Sequence, residues 1–277
     1  MKEITDFRDE CESLNARLLA APDRFFSLET GFKQWTVNDI LGHLDFWNEL
    51  AEMALRAPGE FAGRIGKILE AAEHGDLLAS ERASRNGLAG GRLREKWLGG
   101  AMRLASVYAA ADPNTRIAWV GPSMTATSKI VARQMETWAH GQAVYDLLGE
   151  ERAAHRRIGN IANLGVKTFA WTFGNRGLAV PGVRPSVSLR SPDGDTWEWG
   201  EPGASDRIEG RAEEFCQVVT QVRHVDDTDL HTTGDIARRW MEIAQCFAGP
   251  PENPPPPGTR TRKKDGWRAG RARTEKQ

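Results

Sequence analysis

The stretch from Met124 to Leu148 carries the strongest constraint in this chain. It is rich in helix formers, contains no proline and stops at Gly149, so it predicts one long helix. On that helix Glu136 and His140 stand four residues apart and share a face with Ala132, Ala139, Ala143 and Leu147. A carboxylate and an imidazole therefore interrupt an apolar stripe. Burying an unpaired carboxylate is costly, so each group needs a partner. Either the two satisfy each other and nearby backbone, or they hold a metal.

A second helix start lies at Thr36, with Asp39 three residues on in a short-carboxylate version of the capping box. The helix that follows has Ile40, Phe46, Trp47 and Leu50 on the face of His43. Two histidines and a carboxylate from two helices would form a three-ligand metal site with open positions, the form that suits catalysis. Spacing alone leaves both alternatives standing, because a lone core histidine is usually just hydrogen-bonded.

The motifs Gly42-His43-Leu44 and Met135-Glu136-Thr137-Trp138-Ala139-His140-Gly141-Gln142 resemble the DinB-like, mycothiol-dependent maleylpyruvate isomerase superfamily. The similarity extends through Gly121-Pro122-Ser123-Met124, Pro192-Asp193-Gly194, Phe215 to Gln221 and Ala244 to Pro250. It implies a DinB-like four-helix bundle followed by a small C-terminal α+β domain, a mainly α fold. It also implies a metal triad of His43, Glu136 and His140, and a low-molecular-weight thiol such as mycothiol as co-substrate. An arginine of the C-terminal domain, which here falls on Arg223, would meet an acidic substrate. The plain alternative for Arg223 is a surface ion pair with Asp226 or Asp227.

At 277 residues the chain suits one large or two modest domains. Its net charge of −1 hides an asymmetry: from Glu252 onward there are eight Lys/Arg against three Asp/Glu. The body is thus no obvious nucleic-acid binder. Cys11, Cys216 and Cys246 lie far apart and form no CxxC pair, which suits a reducing cytoplasm. No apolar run is long enough for a bilayer, and the N-terminus has no signal core. The expected protein is cytoplasmic, a monomer or homodimer.

In chain order, helices are expected over 3–20, from Thr36 to about Arg56, over 61–72 and 88–110, then the Glu136/His140 helix and 158–173. Residues 74–86 read as polar connection with an exposed His74, and 117–122 as a loop in which Trp119 could line a substrate rim, though an aromatic in a loop is more often packing. Pro181-Gly182-Val183-Arg184-Pro185 reads as a linker. Beyond it, 186–190 and 196–199 alternate like the strands of a hairpin around Ser191 to Asp195. A helix over 212–222, a short strand at 229–232 and a helix over 234–247 follow. The expected division is 1–180 for the bundle, 181–250 for the α+β domain and 251–277 for a proline-rich, basic, disordered tail.

A two-histidine, one-carboxylate site suits zinc, and also iron or nickel. Within the resembled family a metal-held thiolate adds to an electron-poor double bond of a small substrate, giving cis-trans isomerisation or, if the adduct is kept, thiol transfer. A non-catalytic metal-binding or stress-related protein and a metal-assisted hydrolase are the alternatives. Cys216 and Cys246 sit among apolar helical residues and read as inert packing.

Overall fold

The structure is a computed structural model that describes residues 1–263. Its contacts divide the chain into two units, Met1–Val144 and Tyr145 onward.

The first unit is built on four long helices: α1 (Lys2–Leu18), α2 (Val37–Arg56), α5 (Gly90–Ala109) and α6 (Ala126–Leu148). Apolar residues at helical spacing explain the packing. Phe7, Cys11 and Leu14 of α1, Ile40, Leu44 and Leu50 of α2, and Leu93, Trp97 and Leu104 of α5 are all fully buried. The expected capping box opens α2. Thr36 Oγ1 accepts from the Asp39 amide at 3.1 Å, and Asp39 Oδ2 accepts from the Thr36 amide at 3.0 Å. Pro58 stops α2 by starting α3 (Pro58–Glu73) at a position where its missing N–H costs nothing.

Two segments depart from expectation. The polar stretch 74–86 contains a helix, α4 (Leu77–Ser84). The loop at 117–122 is a hairpin of β1 (Arg116–Trp119) and β2 (Gly121–Thr125), which shortens the expected start of α6. Pro122 and Gly121 read as loop residues, yet a two-stranded ribbon tolerates them at its edge.

The second unit combines helices with a four-stranded sheet in the order β4-β3-β5-β6. The strands are β3 (Ser186–Arg190), β4 (Thr196–Trp199), β5 (Arg207–Arg211) and β6 (His231–Thr233). β3 and β4 form the expected antiparallel hairpin, with Val187 opposite Trp199 and Arg190 opposite Thr196. The unexpected strand is β5, which runs parallel to β3. Val187, Leu189 and Ile208 are buried, and α9 (Ala212–Val219), whose Phe215 and Val218 are buried too, packs on these strands.

The single helix expected over 158–173 is broken into α7 (Gly159–Lys167) and α8 (Phe169–Gly174) at Thr168, whose hydroxyl donates back to the Leu164 carbonyl. Both belong to the second unit, so the division falls earlier than the linker at 181–185. The reason is packing: Phe169 of α8 meets Trp240 of α10 (Asp235–Ile243) at 4.9 Å, and Gly165 of α7 lies against Val219 and Phe215.

Residues 251–263, expected to be disordered, form no helix or strand, turn at 257–258, and are held by hydrogen bonds. Gln221 donates to the carbonyls of Ala244 and Glu252 at 3.0 and 2.8 Å, Arg260 donates to the Gln221 carbonyl at 2.8 Å, and the Lys263 amide donates to the Asp146 carbonyl at 2.9 Å. Residues 264–277 of that tail lie outside the described residues. Among the described residues no helix is long and apolar enough to cross a membrane.

Candidate metal centre

Three of the four expected site residues converge. Ligand atoms of His43, Glu136 and His140 all lie within 4.8 Å of one another. Glu136 Oε2 stands 3.2 Å from His140 Nε2 and 3.7 Å from His43 Nε2. A tetrahedral ion with bonds of about 2.0–2.2 Å holds its ligand atoms roughly 3.3 Å apart, and the two distances from Glu136 are close to that value. The side chains of His43 and His140 are 13% and 10% exposed and that of Glu136 is 23% exposed. The centre is therefore shielded yet reachable from solvent, which suits open coordination positions rather than a closed structural site.

The ring positions are set by a turn that the sequence reading passed over. Trp35 donates its amide to the Phe32 carbonyl at 2.8 Å, with Lys33 and Gln34 between them at φ 48° and 58°. This turn delivers both aromatic rings to the histidines. Trp35 stacks on His140 with centroids 5.8 Å apart and an interplanar angle of 1°, and Phe32 meets the same ring edge-on at 4.9 Å. Trp35 also lies 5.3 Å from His43. Rotamers locked by aromatic packing favour a preorganised ligand set.

The second residue missed by sequence reasoning is Glu81 of α4. Its Oε1 lies 2.9 Å from His43 Nδ1 and accepts from Trp47 Nε1 at 2.8 Å. No periodic apolar signal marks it, because it is a single carboxylate in a short polar segment.

Charges around the centre are strongly coupled. Burial disfavours the charged form of His43, but Glu81 and Glu136 outweigh it and push the imidazole up to about 9. Burial and the neighbouring His43 move His140 down. Burial would raise Glu136; hydrogen bonds from His140 and His43, with Arg133 nearby, hold it well below the usual carboxylate range.

The buried face of α6 is more polar than its sequence stripe suggested. Lys129, Arg133 and Gln134 are at most 3% exposed. Arg133 donates to Asn48 Oδ1 at 2.9 Å and to the Leu44 carbonyl at 3.2 Å, tying α6 to α2 one turn from Glu136. Of the two roles open to Trp119, packing is the one observed: it meets Phe61 and Trp47 with centroids 5.6 Å apart in each case.

Arg223 lies in the second unit and is already engaged. Its Nη2 donates to Asp146 Oδ1 at 2.6 Å, and both side chains are 11% exposed. The partner is thus Asp146, neither Asp226 nor Asp227. All three cysteines are free and buried, and burial pushes the Cys11 and Cys216 thiols up, which makes both poor nucleophiles.

The model of the mycothiol maleylpyruvate isomerase N-terminal domain matches residues 7–145, a span that contains every residue of this centre. The chain belongs to that family. Two curated relatives, both described as uncharacterized proteins of Mycobacterium tuberculosis, are 37% identical over 263 residues, covering 90% of this chain and 96% of theirs. Among solved structures, the mycothiol-dependent maleylpyruvate isomerase and a histidine-to-alanine variant of it share the fold. The TM-score is 0.53 for both, at 13% and 14% identity, with 83% of this chain and 91% of theirs covered. This likeness agrees with the α-rich N-terminal and α+β C-terminal organisation.

Proposed function

We propose that this family member is a metal-dependent enzyme that uses a low-molecular-weight thiol, such as mycothiol, to isomerise or thiolate a small electrophile. The observation that carries this reading is the convergence of His43, Glu136 and His140 inside the family-matched segment. Their mixed nitrogen and oxygen donors suit zinc first, with iron or nickel as other occupants. A zinc ion there would keep a position for the thiol and hold it as its thiolate. His43 and His140 would contribute neutral imidazoles, and Glu136 would offset part of the ion's charge. Trp35 and Phe32 would keep the imidazoles aligned and limit water. Free cysteines and a thiol co-substrate fit a cytoplasmic setting.

The two branches differ in what they ask of Arg223. Isomerisation of an acidic substrate needs a cation, whereas thiol transfer to a neutral electrophile does not. The Arg223–Asp146 pair favours the second branch, and equally supports a metal-binding protein without turnover.

Metal analysis of the purified protein should find one equivalent of divalent metal, largely lost in His140→Ala while the helical signal is retained. Cobalt-loaded protein should gain a sulfur-to-metal charge-transfer band when thiol is added. A spectrum indifferent to every low-molecular-weight thiol would favour the non-catalytic reading. Arg223→Ala should keep metal and thiol response, and loss of turnover on an acidic substrate alone would assign Arg223 to the isomerase branch.

A further inference from the structure

Helix α4 presents an odd economy of packing. Of its eight residues only Glu81 is buried, at 2% exposure, so the helix contributes a carboxylate rather than an apolar residue to the interior. What docks it on α2 is polar. Arg82 makes a two-point pair with Asp39, Nε to Oδ1 and Nη2 to Oδ2 at 2.8 Å each, and Arg85 adds a contact to Asp39 at 3.4 Å. Gly42 lets Arg85 lie close across α2: a Cβ there would meet the Arg85 Cδ at 2.7 Å. This accounts for the glycine beside His43. A buried carboxylate is expensive unless its hydrogen bonds are good, and Glu81 spends one oxygen on two donors, His43 Nδ1 and Trp47 Nε1, while its Oε2 has no hydrogen bond.

We infer that Glu81 is the positioning residue of the metal centre, holding the proton of His43 on Nδ1 so that Nε2 is presented beside Glu136. The inference rests on the metal reading above. Imidazole has two nitrogens, and the hydrogen bond on one decides which of them faces the ion. With Nδ1 committed to Glu81, Nε2 is the nitrogen left on the Glu136 side. The carboxylate also makes the ring a stronger donor, and Trp47 fixes the carboxylate in turn. Among the described residues no comparable acceptor serves His140, whose Nδ1 is buried without a hydrogen bond to them, so the two histidines are unequal. His140 is oriented by stacking on Trp35 instead.

The test uses the full chain and zinc alone. Zinc affinity, measured by competition with a chromophoric chelator, should fall about 10- to 100-fold in Glu81→Ala. Glu81→Gln, whose carbonyl can still accept from Nδ1–H, should recover much of that loss. In zinc-loaded, nitrogen-15-labelled protein, the His43 Nδ1–H should be slow to exchange and strongly hydrogen-bonded. The signal should be lost in Glu81→Ala and return in Glu81→Gln. Arg82→Ala loosens the helix that carries Glu81 and should weaken zinc binding less than Glu81→Ala does, with the Nδ1–H signal broadened rather than lost. Undiminished affinity in Glu81→Ala, or a His43 Nδ1–H signal unchanged in that variant, would overturn the inference while leaving the metal reading intact. Failure of the wild type itself to bind zinc would instead sink the metal reading, and this inference with it.

Discussion

Lys129 Nζ stands 3.2 Å from the centroid of the Trp119 ring and makes no hydrogen bond among the described residues, although the residue is fully buried. The indole face offers an ammonium partial compensation, worth about 2 kcal/mol when desolvated. That is small against the cost of burying a charge. Burial, with Arg133 nearby, moves Lys129 well below the ordinary lysine value of 10.5, and Glu136 opposes the shift only in part. The first prediction follows from the sign. A lysine with a depressed pKa binds fewer protons folded than unfolded, so its penalty is greatest at low pH and fades as pH rises toward 10.5. Lys129→Met should stabilise the protein by about 1–3 kcal/mol at neutral pH. The advantage should shrink on going to pH 9 or above in urea unfolding. A destabilised variant would mean that the ammonium has a partner worth more than its burial.

The second prediction concerns acid. Burial would raise Asp39, but the hydrogen bonds from Arg82 and Thr36 outweigh it and hold the carboxyl at about 2 against an ordinary 3.8. A lowered carboxylate contributes stability above its unfolded pKa and loses it as pH falls through the folded one. Wild type should therefore lose its advantage over Asp39→Asn between about pH 4 and pH 2, read from parallel denaturation curves. A constant difference across that window would remove Asp39 from the acid response.

Why the convergence of His43, Glu136 and His140 was legible and the burial of Glu81 was not has a physical answer. His43, Glu136 and His140 stand out because they interrupt apolar stripes of long helices, where a polar residue demands a reason. Glu81 stands among charges in a short segment, and its burial comes from α2 closing over it, a contact remote in sequence. The same limit applies to β5, where Ile208 is the one buried residue of the strand and gives no alternation to read. The segment 251–263 is held in part by hydrogen bonds to Gln221, Gln245 and Asp227, partners that lie outside it in the sequence, so its composition resembles a free tail. The capping box of Thr36 and Asp39 and the β3–β4 hairpin were legible because turn chemistry is local.

The third prediction tests a cap supplied from a distance. Asp206 Oδ1 accepts from the Ile236 and Ala237 amides at 2.8 and 3.2 Å, so the start of α10 is capped by a residue on the approach to β5. Asp206→Ala should cost about 1 kcal/mol. Gly234, at φ 89°, makes room for this carboxylate: a Cβ there would come within 2.3 Å of Asp206 Oδ1. Gly234→Ala should therefore cost more than the cap itself, and less when Asp206 is already alanine. Strict additivity in that double-mutant cycle would contradict the proposed crowding.

The last prediction concerns the turn beside His140 in the candidate metal centre. Lys33 and Gln34 both hold positive φ, a conformation that costs a residue with a Cβ about 1–2 kcal/mol. Asn-Gly is the pair that favours such a turn. Lys33→Asn combined with Gln34→Gly should therefore stabilise the protein by about 1 kcal/mol or more. If the turn's work is to hold Phe32 and Trp35 against His140, the rings should stay in place and metal affinity should be unchanged. Trp35→Ala should do the reverse. It removes the stacked face of His140 and should weaken metal binding beyond its effect on stability, which a comparison of chelator competition with thermal unfolding would separate. Metal affinity that tracks stability in both variants would show that the rings support the fold and do not orient the ligand.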